Sequence, residues 1–143
     1  AFDGKEANRI VKEELESGQY QPKAILGVSI PKRNGEERLL GIPTTFDRMI
    51  QQAIHQELSP MFDPEFSAFS YGFRPGKNAG QAIQQALAFI NEGYRRIVDI
   101  DLKSFFDEVN HDYLMTLLKR KVKDRQLLRL IWRYLRSPLT IPD

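Results

Sequence analysis

Two carboxylates two residues apart, Asp99 and Asp101, open the segment Asp99-Ile100-Asp101-Leu102-Lys103-Ser104-Phe105-Phe106-Asp107. A carboxylate at the end of a sheet strand is rigidly held and offers the hard oxygen that Mg²⁺ prefers. That ion binds phosphates through one or two carboxylates rather than a full protein cage. Asp101 is placed for such a role; the competing reading makes it the cap of a helix starting near Ser104, with Asp99 an ordinary exposed strand residue. A second cluster, Pro31-Lys32-Arg33-Asn34-Gly35 running on to Arg38, puts bases on both arms of a tight turn. Lysine is a point charge and arginine a bidentate fork, so Lys32 and Arg38 could grip a triphosphate; the plainer alternative is a solvated hairpin tip.

Two further clusters suit a polyanion. Ser70-Tyr71-Gly72-Phe73-Arg74-Pro75-Gly76-Lys77 sets aromatics beside Arg74 and Lys77 at a helix start, where free N–H groups favour phosphate. Tyr71 and Phe73 can equally be anchors that shape the loop, and both readings can hold together. Arg125, Arg129, Arg133 and Arg136 recur at spacings of four, four and three, away from Leu128, Ile131, Trp132 and Leu135. Such a stripe without matching acids fits RNA phosphates, against the alternative of a solvated face. His111-Asp112 has no Ser or Cys nucleophile pattern beside it, and Asn110 to Asp112 reads as a helix start.

These side chains need elements to hold them. The stretch up to Gln19, with Ile10, Val11 and Leu15 on a charged background, predicts a short exposed helix. Ala24 to Ile30 and Arg38 to Ile42 alternate around Asn34-Gly35, which predicts a β-hairpin. Thr44 with Asp47 three residues on resembles a capping pair before a helix over 45–58, which Pro60 should end. A Pro-, Phe-, Ser- and Gly-rich loop over 60–77 leads to an amphipathic helix ending near Gly93. Val98, Ile100 and Leu102 alternate with Ile97, Asp99 and Asp101, which predicts a strand over 96–102. Helices around 113–122 and 124–136 close at Ser137-Pro138. Strands separated by helices, with one hairpin, give the α+β class.

Composition narrows the chemistry. The 143 residues, 41% hydrophobic and 28% charged, suffice for one core-bearing domain. No apolar run approaches the roughly 18 residues of a bilayer span and no charged-then-apolar leader opens the chain, so the expectation is a soluble, intracellular protein with no membrane partner. Without cysteine, and with two histidines, disulfide and zinc chemistry are set aside. The net charge is only +2, yet residues 119–136 hold eight Lys or Arg against Asp124.

Four stretches in order carry a family resemblance: Ile30-Pro31-Lys32 through Arg38; Leu40-Gly41-Ile42-Pro43-Thr44 with Asp47-Arg48; Ser70 to Gly76; and Val98 to Leu102 with Phe105-Phe106-Asp107 and Asn110-His111. Together they resemble the reverse transcriptase domain of group II intron-encoded proteins (intron maturases) across nearly the whole chain. The resemblance implies a right-hand polymerase, with fingers over residues 1–93 and a partial palm over 94–143 carrying the catalytic strand and the helices after it. It also implies an RNA-directed DNA polymerase that binds group II intron RNA, assists its splicing and copies it into DNA for intron mobility. Asp101 then matches the first metal-binding, catalytic aspartate, with the Leu102 backbone carbonyl a further ligand. Phe106 stands where the family places a bulky residue under the sugar, and Lys32 and Arg38 match the residues that hold the incoming dNTP.

The reaction so implied is attack of a DNA primer 3′-oxygen on the α-phosphate, templated by RNA, with two Mg²⁺ ions in a complete site. The Tyr-x-Asp-Asp box that supplies the other metal-binding aspartates is nowhere in these 143 residues. The expectation is therefore that this stretch alone binds Mg²⁺ weakly, binds structured RNA weakly and does not polymerise. The alternatives are a non-enzymatic RNA-binding splicing factor, or a retron, diversity-generating or CRISPR-associated reverse transcriptase. Self-association is left open, and the expected location is the bacterial cytoplasm, nucleoid-associated when acting on DNA, or an organelle.

Overall fold

In the computed structural model, residues 4–31 and 35–141 are described. Lys32, Arg33 and Asn34 lie outside them, so the expected dNTP contact of Lys32 and half of the expected turn do too. The first helix, α1 (Gly4–Glu16), is tied along its surface by Arg9 to Glu6 and Glu13. Then come β1 (Ile25–Pro31) and β2 (Glu37–Ile42), antiparallel from Leu26 opposite Ile42 to Pro31 opposite Glu37. Gly35 lies in the connection at φ +84°, a backbone region glycine enters without a Cβ clash.

A third strand, β3 (Leu139–Thr140), pairs parallel with β1, giving the order β2-β1-β3. The sequence reading closes the last helix at Ser137-Pro138 and places no element after it, so β3 is unexpected. Two residues are too short to show a period, and Gly27 makes the strand possible. A Cβ there would stand 2.8 Å from Leu139 Cδ2 and 3.0 Å from Ile141 Cγ1, which leaves only a hydrogen's room.

Helix α2 (Thr45–Phe62) runs through Pro60 rather than stopping before it. Proline keeps a helical φ and withdraws one donor, from the carbonyl four residues back, which near a C-terminus is a small loss. One turn of 3₁₀ helix follows over Asp63–Glu65. Then α3 (Ala79–Asn91) begins with a full capping box: Asn78 accepts from the Gln81 N–H, and the Gln81 side chain accepts from the Asn78 N–H. Asn110 caps α4 (His111–Lys121), and Asp124 caps α5 (Arg125–Leu135) by accepting from the N–H groups of Gln126 and Leu127. The α+β class holds, with five α-helices and a small sheet among the described residues. Among the described residues no helix is long and apolar enough to cross a membrane.

The chain divides into two compact units, residues 1–53 with 109–143, and residues 54–108. The first holds the core, with Tyr20, Ile50, Met115, Val122 and Leu128 buried. The second has no fully buried residue. Its α3 leaves Ile83, Leu87 and Ile90 exposed, while Phe69, Phe89 and Tyr94 form a chain of tilted and edge-on rings 5.6 and 5.9 Å apart.

Candidate functional site

The segment carrying Asp101 corrects the strand expected over 96–102. None of these residues joins a sheet ladder. Ile97, Val98 and Ile100 are 87%, 81% and 80% exposed, and the alternation persists without a second strand to exchange hydrogen bonds with. Asp101 and Leu102 are exposed. Just beyond, Ser104 takes φ +51°, and its carbonyl accepts from the N–H groups of Asp107 and Glu108 at 3.0 and 3.1 Å. This is a tight turn rather than a helix, so the alternative of Asp101 as a helix cap is not realised. The turn presents Phe106 almost fully to solvent, with Phe105 edge-on against it at 5.5 Å.

Asp101 carries the hard oxygen that Mg²⁺ prefers, and an ion completed by phosphate oxygens and water needs only one or two such carboxylates. Among the described residues no three His, Cys, Asp or Glu groups gather into a metal site. The donors present thus suit one edge of a magnesium site rather than a cage. Arg38, the other residue expected at the dNTP, is exposed on β2 opposite Ile30 of β1.

Two expected RNA contacts are spent inside the protein. The guanidinium of Arg74, whose side chain is only 9% exposed, uses all five donors within its own loop. Nε donates to Asp63 Oδ1 at 2.7 Å and Nη2 to Asp63 Oδ2 and the Asp63 carbonyl, while Nη1 reaches the carbonyls of Ser67 and Ser70. Hydrogen bonding to Arg74 holds the Asp63 carboxyl below the usual carboxylate range. Arg74 is therefore the organiser of the loop, since turns of irregular backbone must have their carbonyls satisfied locally. Lys77 is half-buried over the Tyr71 ring at 5.2 Å and donates to the Ala68 carbonyl at 3.3 Å. Tyr71 thus serves as an anchor, while Phe73, at φ +55°, is fully exposed.

The second correction is Arg133. Its Nη1 donates to the carbonyls of Gly18 and Tyr20, both at 2.8 Å. Arg133 lines a pocket with Gly18, Tyr20, Gln126 and Leu130, whereas Arg125, Arg129 and Trp132 line a separate groove against α4. Equal spacing in sequence thus spans two faces. Arg125 and Arg129 stay exposed and make no ion pair among the described residues.

A buried, densely bonded group in the first unit is one the sequence shows only as a capping residue. Asp47, 1% exposed, accepts from Thr44 Oγ1 at 2.6 Å, Tyr20 OH at 2.8 Å, Tyr134 OH at 3.1 Å and the Lys23 N–H at 3.3 Å. The Thr44 hydroxyl in turn accepts from the Asp47 N–H, as the capping spacing predicts. The two phenols come from positions 27 and 87 residues away, so no local signal could have found them. Burial, reinforced by Asp47, pushes the Tyr20 phenol up to about 12; burial and the neighbouring charges push Tyr134 up further. Asp47 joins the start of α2, the approach to β1 and α5, and so sets the base of the hairpin that carries Arg38.

Residues 30–141 match the family described as reverse transcriptase (RNA-dependent DNA polymerase), and the chain belongs to it. It is similar to proteins named as group II intron-encoded and intron maturase proteins. It is 33% identical over 138 residues to the group II intron-encoded protein LtrA of Lactococcus lactis subsp. cremoris, covering 94% of this chain and 23% of LtrA. It is 37% identical over 133 residues to Protein YkfC of Escherichia coli (strain K12), covering 90% of this chain and 35% of that protein. It is also 35% identical over 89 residues to nuclear intron maturase 1, mitochondrial, of Arabidopsis thaliana, covering 62% and 12%. The chain therefore spans about a third or less of the length of these relatives.

Proposed function

We propose that the protein is the nucleotide-facing part of an RNA-directed DNA polymerase that binds group II intron RNA, assists its splicing and copies it into DNA. The observation that carries this reading is the family match over residues 30–141, which takes in Arg38, Asp101 and Phe106 together. On this reading residues 1–93 are fingers and 94–143 contribute to the palm. The partners are intron RNA, an RNA template with a DNA primer, and dNTPs, in a bacterial cytoplasm or an organelle.

Asp101, with the Leu102 carbonyl, would hold magnesium, which when bound stabilises the attacking and leaving oxygens of phosphoryl transfer. Arg38 offers a planar fork to the triphosphate, and Lys32 a point charge. Phe106, held out by the Ser104 turn, lies under the sugar and excludes a ribose 2′-hydroxyl. Phosphoryl transfer depends on positioning and electrostatics, so these side chains need move no proton. Arg125 and Arg129 meet RNA phosphates.

The test is Asp101→Ala in the longer polymerase that contains this sequence. cDNA synthesis should vanish while RNA affinity stays, and retained synthesis would refute the role. The 143-residue chain alone should show no Mg²⁺-dependent primer extension, and measurable extension would overturn that expectation.

A further inference from the structure

We infer that the groove between α4 and α5 is a binding site for single-stranded RNA, with phosphates on its basic rim and a base against Trp132. The inference rests on the RNA-binding part of the reading above and gives it a place. The groove is about 520 Å³ in volume and is lined by Lys119 and Thr116 of α4 and by Arg125, Arg129 and Trp132 of α5, over Met115 and Leu128. Asp112 is the acid among its lining residues, and Asp124 is occupied in capping α5.

Three features favour single-stranded RNA over other occupants. Lys119, Arg125 and Arg129 come from two facing helices and make no ion pair among the described residues, so they can neutralise phosphates at little cost in broken contacts. With Arg133 turned inward, the basic surface is this two-helix groove and not a one-helix stripe. Trp132 is half-buried along the groove with the Arg136 guanidinium 4.5 Å from its ring centre. That stack fixes the indole and raises positive charge beside it. A base can stack on an aromatic wall only when it is unpaired, and RNA duplexes keep their bases inside a deep, narrow major groove. A purely apolar partner would leave three cations desolvated.

Trp132 is the protein's single tryptophan, so its emission reports this groove alone. The experiment titrates the 143-residue protein with fluorescein-labelled oligouridylate, following label anisotropy and Trp132 emission, and repeats it with an RNA duplex of equal length. The expected result is saturable quenching by the single strand at the concentrations where anisotropy rises, with little quenching by the duplex. R125A/R129A should lower the log–log salt slope by about 1.4, two phosphate contacts at roughly 0.7 each on a single strand. W132L should weaken binding about fivefold to a hundredfold. Binding without quenching, and unchanged in R125A/R129A, overturns the groove while RNA binding stands. No RNA binding at low salt overturns both. Equal quenching by the duplex overturns the single-strand assignment, and a Trp132 emission shift that follows protein concentration without RNA gives the groove to a second copy instead.

Discussion

Replacing Asp47 by alanine should be among the most destabilising single changes available in the first unit, because it orphans donors that nothing else can satisfy. Four groups converge on this carboxylate between 2.6 and 3.3 Å. A hydrogen bond to a charged group contributes about 1.5–3 kcal/mol net. The four do not add, since Thr44 and Lys23 are exposed enough to turn to water. Tyr20, 4% exposed, and the half-buried Tyr134 are not so free. Leaving those two phenols unpaired gives an expected loss of about 3–5 kcal/mol. Urea unfolding followed by circular dichroism measures it. The orphaning account makes a second demand: D47A/Y20F/Y134F, which removes the phenol donors along with their acceptor, should be more stable than D47A alone. A D47A loss below about 1 kcal/mol, or a triple variant less stable than D47A, would refute the reasoning.

The same cluster sets an alkaline limit and the loop of the second unit offers a separate check. A phenol whose folded pKa is raised keeps its full contribution below its unfolded value of 10.0, and that contribution is lost as pH rises toward about 12. For Tyr20 the displacement corresponds to about 3 kcal/mol, so stability should fall between pH 10 and 12, and Y20F should flatten that fall. Arg74→Lys should lower the urea midpoint, because an ammonium cannot span Asp63, Ser67 and Ser70 as the fork does. RNA affinity of the folded R74K protein should be unchanged, and the reverse pattern would return Arg74 to the RNA surface.

Much of the local architecture is legible along the chain. The Thr44–Asp47 pair, the helix start at Asn110, the hairpin alternation around Gly35 and the 3.6-residue rows of α3 and α5 act between residues a few positions apart, so periodicity and capping chemistry reveal them. The family is legible for a related reason: its signature stretches are linear runs, such as Tyr71 to Gly76 and Val98 to Leu102. Asp101, Arg38 and Phe106 are named by such runs and lie exposed.

What tertiary structure alone decides is where each polar group spends its hydrogen bonds. Arg74 and Arg133 carry the same charge as Arg125 and Arg129, yet nearby carbonyls claim the first two and leave the others to solvent. The alternation at 97–102 is that of a strand, but a ladder needs a neighbour, and periodicity cannot provide one. Asp47 reads as a cap from Thr44 and becomes the centre of the first unit only when Tyr20 and Tyr134 fold onto it. A buried charge must find its donors in space, and they need not be near in sequence.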